Sequence, residues 1–164
     1  LKEGSPLSGR TDLFFLQAKI TFEKSERLDE VKAWVEQARL CDPANPKLEI
    51  WEDLFAGIEA LREGDYILGQ NILVALREKP EVSLLAQYQL AHHYFWRNLD
   101  KEKALTLLEE VCQARPEFTQ AWSCLGFAYN RLGQKDKAQE AFNLCLSMET
   151  DPSRIARIKQ HLAS

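Results

Sequence analysis

Helical apolar spacing, cut at short and regular intervals by turn-forming residues, is the feature that most limits what this chain can fold into. Leu105, Leu108 and Cys112 follow a three-to-four rhythm, and so do Leu125, Ala128 and Leu132. No segment sustains the alternation of a strand. Turn chemistry gathers at Ser25–Arg27, Asp42–Lys47, Glu63–Asp65, Lys79–Ser83, Asn98–Lys101, Arg115–Thr119 and Gly133–Lys135. Helices of roughly 12–15 residues between such breaks pair antiparallel with their neighbours. The spacing therefore predicts an all-α chain of stacked helix pairs, beginning near Thr11.

Several breaks carry a specific device. Gly64 and Gly133 can take the left-handed conformation that ends a helix. Ser83, Asp100 and Thr119 are candidate N-caps, and Pro152 fits the first turn of a helix opened by Asp151. Residues 1–10 hold Gly4, Pro6, Ser8 and Gly9 and read as a flexible lead-in or linker, which leaves 11–164 as one domain.

Length and composition narrow the function. A chain of 164 residues, 45% apolar and 28% charged, can bury a core and is not disordered. Its formal charge of −4 offers no basic surface for nucleic acid. No apolar run is long enough to span a bilayer, and no signal-peptide pattern opens the chain. Cys41, Cys112, Cys124 and Cys145 form no CxxC pair and read as small reduced core residues, which leans towards a cytoplasmic protein. The absence of an initiator Met raises the expectation of a fragment of a longer protein.

The regular breaks prompt a search for internal repeats. The clearest unit holds Trp122, Leu125, Gly126, Tyr129, Ala138 and Phe142. Its spacing resembles the tetratricopeptide-repeat pattern of Trp, Leu-Gly, Tyr, Ala and Phe. The pattern's next Ala position is Cys145 and its closing Pro position is Thr150, with Pro152 slightly late. One unit earlier, Leu90, Ala91, Tyr94, Ala104, Leu108 and Pro116 take the equivalent places. Gln87 stands at the Trp position, and one residue is inserted near Asn98. Gly57, Gly64, Asp65, Tyr66, Gly69 and Leu73 make a looser copy; Phe15, Phe22, Val31, Val35, Ala38 and Pro43 make a degenerate one. The copies run about 12–45, 50–83, 84–118 and 119–152, followed by a capping helix at about 153–163 with Ile155, Ile158 and Leu162 on one face. The small residues Gly57, Ala91 and Gly126 allow close helix approach, while Trp122, Tyr129, Phe142, Tyr94 and Leu108 fill the space between helices.

The resemblance implies a right-handed superhelix of about four helix pairs whose first helices line a concave groove. Counting within each copy places Leu16 and Ile20, then Trp51, Leu54 and Ile58, then Tyr88, His92, Phe95 and Trp96, then Ser123, Phe127, Asn130 and Arg131 on that groove. Aromatic residues and Arg are the types that dominate binding hot spots. Tyr94, Phe95 and Trp96 are consecutive, and a helix cannot bury three large neighbours on one narrow face. Trp96 is therefore either a groove residue or, if the insertion near Asn98 shifts the register, a core residue. Some tetratricopeptide proteins clamp the C-terminal carboxylate of chaperone tails with Lys, Asn and Arg. Leu16 and Ile20 stand at the matching positions and cannot do so. The resemblance thus implies an apolar or amphipathic protein segment as ligand.

Catalytic signals are absent. His92 and His93 are adjacent and point apart on a helix, His161 stands alone, and no phosphate loop, nucleophile elbow or HExxH is present. Glu52, Asp53, Glu59 and Glu63 read as a solvated face. Arg154, Arg157 and Lys159 could meet phosphates but are explained by solvation and the helix dipole. The expected function is a non-enzymatic adaptor, without metal or cofactor, holding another protein. The alternatives are self-association and a regulatory or sensory part of a longer protein, such as a bacterial regulator.

Overall fold

A computed structural model describes residues 6–25 and 27–163. Among the described residues the chain forms nine α-helices and no strand. They are α1 (Pro6–Lys24), α2 (Leu28–Cys41), α3 (Lys47–Glu63), α4 (Tyr66–Leu76), α5 (Ser83–Trp96), α6 (Lys101–Ala114), α7 (Thr119–Arg131), α8 (Lys135–Met148) and α9 (Pro152–Leu162). Helix α1 starts at Pro6, five residues before the onset at Thr11 that the spacing predicts. Proline is at home in a first turn, because the N–H it lacks would have no intrahelical partner there. Residues 6–10 are thus helix and not a loose lead-in; residues 1–5 of that stretch lie outside the described residues.

Three helices stop by the same device. Gly64 (φ 95°), Asn98 (φ 56°) and Gly133 (φ 74°) adopt left-handed conformations. In each case the next N–H reaches back to a carbonyl of the last helical turn: Asp65 to Ala60 at 2.9 Å, Leu99 to Tyr94 at 3.0 Å and Gln134 to Tyr129 at 2.9 Å. Asn98 is the residue type that tolerates this conformation best after glycine. The inserted residue is therefore absorbed in the turn after α5. Helix starts are capped by Asp65, Asp100 and Asp151, whose carboxylates accept from the backbone of Leu68 (3.2 Å), Lys103 (2.9 Å) and Ser153 (2.8 Å). Ser83 and Thr119 are first helical residues instead of caps. Phe118 holds the cap position before α7, and the Thr119 hydroxyl donates to the Glu117 carbonyl at 3.4 Å.

The chain divides into two compact units, one up to Ala86 and one from Gln87 onward. In the first, α1 packs on α2 and α3 on α4, with α2 also against α3. Phe15, Val31, Val35, Trp51, Leu54, Ile58 and Leu73 form its core. Phe15 and Trp51 stack at 6.4 Å, and Lys32–Glu59 and Arg39–Glu52 ion pairs tie α2 to α3. The two helices α3 and α4 touch at glycines: a Cβ on Gly69 would lie 2.6 Å from Leu61 and 2.9 Å from the Gly57 carbonyl oxygen.

In the second unit, α7 packs on both α6 and α8, and α9 covers α8. Gln87 ties α5 to α6 by donating to the Leu107 carbonyl at 3.3 Å and to Glu110 at 2.6 Å. Tyr88 meets Phe118 at 4.8 Å between ring centroids, which seats α5 near the start of α7. Leu90, Tyr94, Leu108, Phe118, Leu125, Tyr129, Phe142 and Ile158 are buried. The Tyr129 hydroxyl donates to Glu109, and burial, reinforced by that carboxylate, raises its pKa. Cys112, Cys124 and Cys145 are buried cysteines of this core. Burial pushes Cys145 up to about 12 and raises Cys112 as well, so neither is a nucleophile. Ile158 anchors α9 as the cap of this unit, with Ile155 and Leu162 half-buried beside it.

Candidate functional site

The second unit contains a hollow of about 300 Å³ lined by Phe95, Trp96, Phe127, Asn130, Arg131, Arg157 and His161. Helices α5, α7 and α9 each contribute. On α5, Tyr88, His92 and Trp96 recur every four residues, and their rings meet at 5.9 Å and 5.9 Å, forming a ladder along one face. Trp96 ends that ladder and is 50% exposed. It meets Phe95 edge-on at 5.0 Å and approaches Phe127 of α7 at 6.2 Å. Phe127 is half-buried, held edge-on by Phe142 at 5.0 Å and by His161 of α9 at 4.8 Å. The rings fix one another and leave an apolar floor open to water.

Two guanidinium groups sit on this floor. Arg131 lies 4.9 Å from the Phe95 ring centre and 5.7 Å from that of Trp96, and it donates to the Phe95 carbonyl oxygen at 3.3 Å. Arg157 lies 5.6 Å from the Phe127 ring centre. Cation–ring contacts of this length stabilise by about 0.5–1 kcal/mol at exposed positions and hold an otherwise mobile side chain in place.

The sequence-derived groove positions separate into two groups. Phe95, Trp96, Phe127, Asn130 and Arg131 come together on the hollow, and His92 adjoins it through Trp96. Trp51, Leu54, Ile58 and Tyr88 are buried, and Phe95 shows the hollow only part of its ring. The four buried residues are core residues that offer no surface to a partner; Trp51 is enclosed by Phe15 and Phe55, and Tyr88 by Phe118. Leu16 is 46% exposed and Ile20 half-buried on α1, within the first unit. Ser123 is half-buried on α7. Arg157 and His161 were not among the sequence-derived positions. Their separation of four residues on α9 puts them on one face, a signal present in the sequence.

A second hollow, of about 540 Å³, lies among α6, α7 and α8 beside Trp122, Leu125, Tyr129 and Leu144. Two of its polar side chains are already engaged: the Trp122 indole donates to the Pro116 carbonyl at 2.8 Å, and Tyr129 donates to Glu109. Trp122 is half-buried here and does not fill the helix interface as fully as its position in the repeat implies. Among the described residues, no group of three or more His, Cys, Asp or Glu is placed to hold a metal ion, and no helix is long and apolar enough to cross a membrane.

Short turns, stacked pairs and a covering last helix define an all-α helical-repeat protein. The tetratricopeptide repeat profile matches residues 119–152, the stretch that holds Trp122, Gly126, Tyr129, Ala138 and Phe142. Residues 119–152 are thus similar to a tetratricopeptide repeat. It is 35% identical over 63 residues to Cell division cycle protein 27 homolog A of Arabidopsis thaliana; that stretch is 38% of this chain and 9% of the relative, far less than two thirds of its length. Its fold is similar to a crystal structure of MamA, with a TM-score of 0.58 and 21% identity over 82% of this chain and 74% of that one. A second MamA structure, of AMB-1, matches with a TM-score of 0.55 and 20% identity over 92% of this chain and 79% of that one. Tetratricopeptide repeats commonly build protein–protein interaction scaffolds, and the repeat matched at 119–152 supports a role of that kind.

Proposed function

We propose that the chain holds an apolar or amphipathic segment of another protein in the hollow formed by α5, α7 and α9. The observation that carries this reading is Trp96. Half its surface faces water although it stands beside a buried Phe95 and within reach of Phe127. Water-exposed aromatic surface on a rigid helical support is what a hot spot requires: large area, few torsions to freeze, and neighbours that exclude water. Phe127 supplies the facing wall, and Asn130 and Arg131 supply polar groups at its edge. The hollow lies at the small end of ligand sites, which suits one or two anchoring side chains of a peptide better than a bulky cofactor.

A display library of short random peptides, selected on the full chain, tests this reading. Peptides that bind the wild type and lose about tenfold or more on Trp96→Ala, with helicity unchanged, support it. If no selected peptide depends on Trp96 or Phe127, the hollow is not a peptide site. Light scattering on the same proteins addresses the other occupant. A mass that is a multiple of the monomer and falls on Trp96→Ala would show that a second copy covers the hollow.

A further inference from the structure

The hollow contains two guanidinium groups and no carboxylate. Neither Arg131 nor Arg157 has an ion-pair partner among the described residues. Arg27, Arg39, Arg115 and Arg154 all do, in a chain with 25 Asp and Glu against 21 Lys and Arg. Carboxylates are thus abundant in the molecule and missing from this place. Arg131 uses an N–H on the Phe95 carbonyl and rests against two rings; Arg157 rests against Phe127. Both side chains line the hollow and so border whatever fills it.

A purely apolar segment laid over Trp96 and Phe127 would strip water from both cations and give nothing back, which opposes binding. A carboxylate beside the apolar anchor reverses that sign. It would match the planar fork of an arginine with two parallel hydrogen bonds, in a site whose low-dielectric ring floor strengthens them. We propose that the occupant is a peptide segment with a large apolar side chain seated on Trp96 and Phe127, and an Asp or Glu side chain within one helical turn of it, received by Arg131 and Arg157. This rests on the reading that the hollow docks a protein segment and adds the charge that selects which one.

The probe is the set of peptides recovered from the display library, made as fluorescein-labelled synthetic peptides and titrated by anisotropy against the full chain at low and high salt. The recovered sequences should hold Asp or Glu within four positions of Leu, Ile, Phe or Trp. Changing that acid to its amide should weaken binding to the wild type by about 10- to 100-fold, and the loss should shrink to under about threefold on Arg131→Gln or Arg157→Gln. Arg157→Lys should keep part of the acidic preference, since it keeps the charge and loses the fork. Trp96-dependent peptides whose acid-to-amide change has no effect, or the same effect on both arginine variants, overturn the charge assignment and leave the docking site standing. Peptides that bind Trp96→Ala and Phe127→Glu as tightly as the wild type overturn both.

Discussion

Gly126 is where the packing of the matched repeat is most exposed to a single atom. A Cβ built on it would lie 2.5 Å from both Cδ1 and Cε1 of Phe142. Carbon atoms in contact prefer about 3.5–4.0 Å, so the ring would have to retreat by roughly 1 Å. It has little room to do so. Phe142 is buried, with Phe127 edge-on at 5.0 Å on one side and His161 at 6.4 Å on another. Overpacking of this kind costs about 1–3 kcal/mol. The better helix propensity of alanine offsets about 1 kcal/mol. Gly126→Ala should therefore destabilise by up to about 2 kcal/mol net, a fall in Tm of up to roughly 8 °C for a chain of this size.

The same substitution at Gly9 supplies the control, because a Cβ there meets nothing within 4 Å. Gly9→Ala should stabilise by about 0.4–1 kcal/mol through a less flexible unfolded chain. Thermal melts of the two variants should move in opposite directions. Phe142→Leu removes the ring that the new methyl group would strike. In that background Gly126→Ala should cost about 1 kcal/mol less, a coupling that a double-mutant cycle measures directly. A Gly126→Ala protein that melts as high as Gly9→Ala, or that loses as much in the Phe142→Leu background, would refute the account of how α7 and α8 meet.

Two tryptophans on first helices of their pairs should behave oppositely. Trp51→Ala should cost about 3–5 kcal/mol in chemical denaturation because its side chain is fully enclosed, whereas Trp96→Ala should cost under about 1 kcal/mol. Titration with Ellman's reagent should label Cys41 in the native protein and reach Cys112, Cys124 and Cys145 only on unfolding, since those three are buried and Cys112 and Cys145 are held as thiols by burial. His93 is held below its ordinary value of 6.5, first by burial and then by Arg97. The folded state thus favours neutral imidazole, and stability that is fully present above about pH 6.5 should decline as the pH falls below it. His93→Gln should flatten that decline in denaturation curves recorded across pH.

The turns were legible in the sequence because each depends on local chemistry. Gly64, Gly133 and Asp151 act through their own backbone or side chain and need no tertiary partner. The start of α1 was hidden for the same reason: Pro6 breaks a helix from within but opens one from its first turn, and local chemistry alone does not separate the two roles. The groove positions were legible only in part. Trp51, Leu54 and Ile58 share a helical period, but a period identifies a face without saying what covers it. In α3 that face is enclosed by the neighbouring pair, and the residues belong to the core.

In α5 a harder constraint decided the outcome. Three consecutive large residues span about 200° of a helix, more than a single packing partner covers, so Tyr94 and Phe95 are buried and Trp96 is turned out. Exposure of Trp96 is thus forced by side-chain size and helix geometry, and Asn98, by stopping α5 in the turn, keeps the inserted residue from rotating it inward. The arginines that give this exposed ring its chemical character come from elsewhere. Arg131 lies at the end of α7 and Arg157 one helix beyond α8, and only the covering of α8 by α9 brings the second of them to Phe127. The apolar anchor of the site is therefore a property of one helix, readable in three residues, while its charge preference is a property of how the last helix closes the stack.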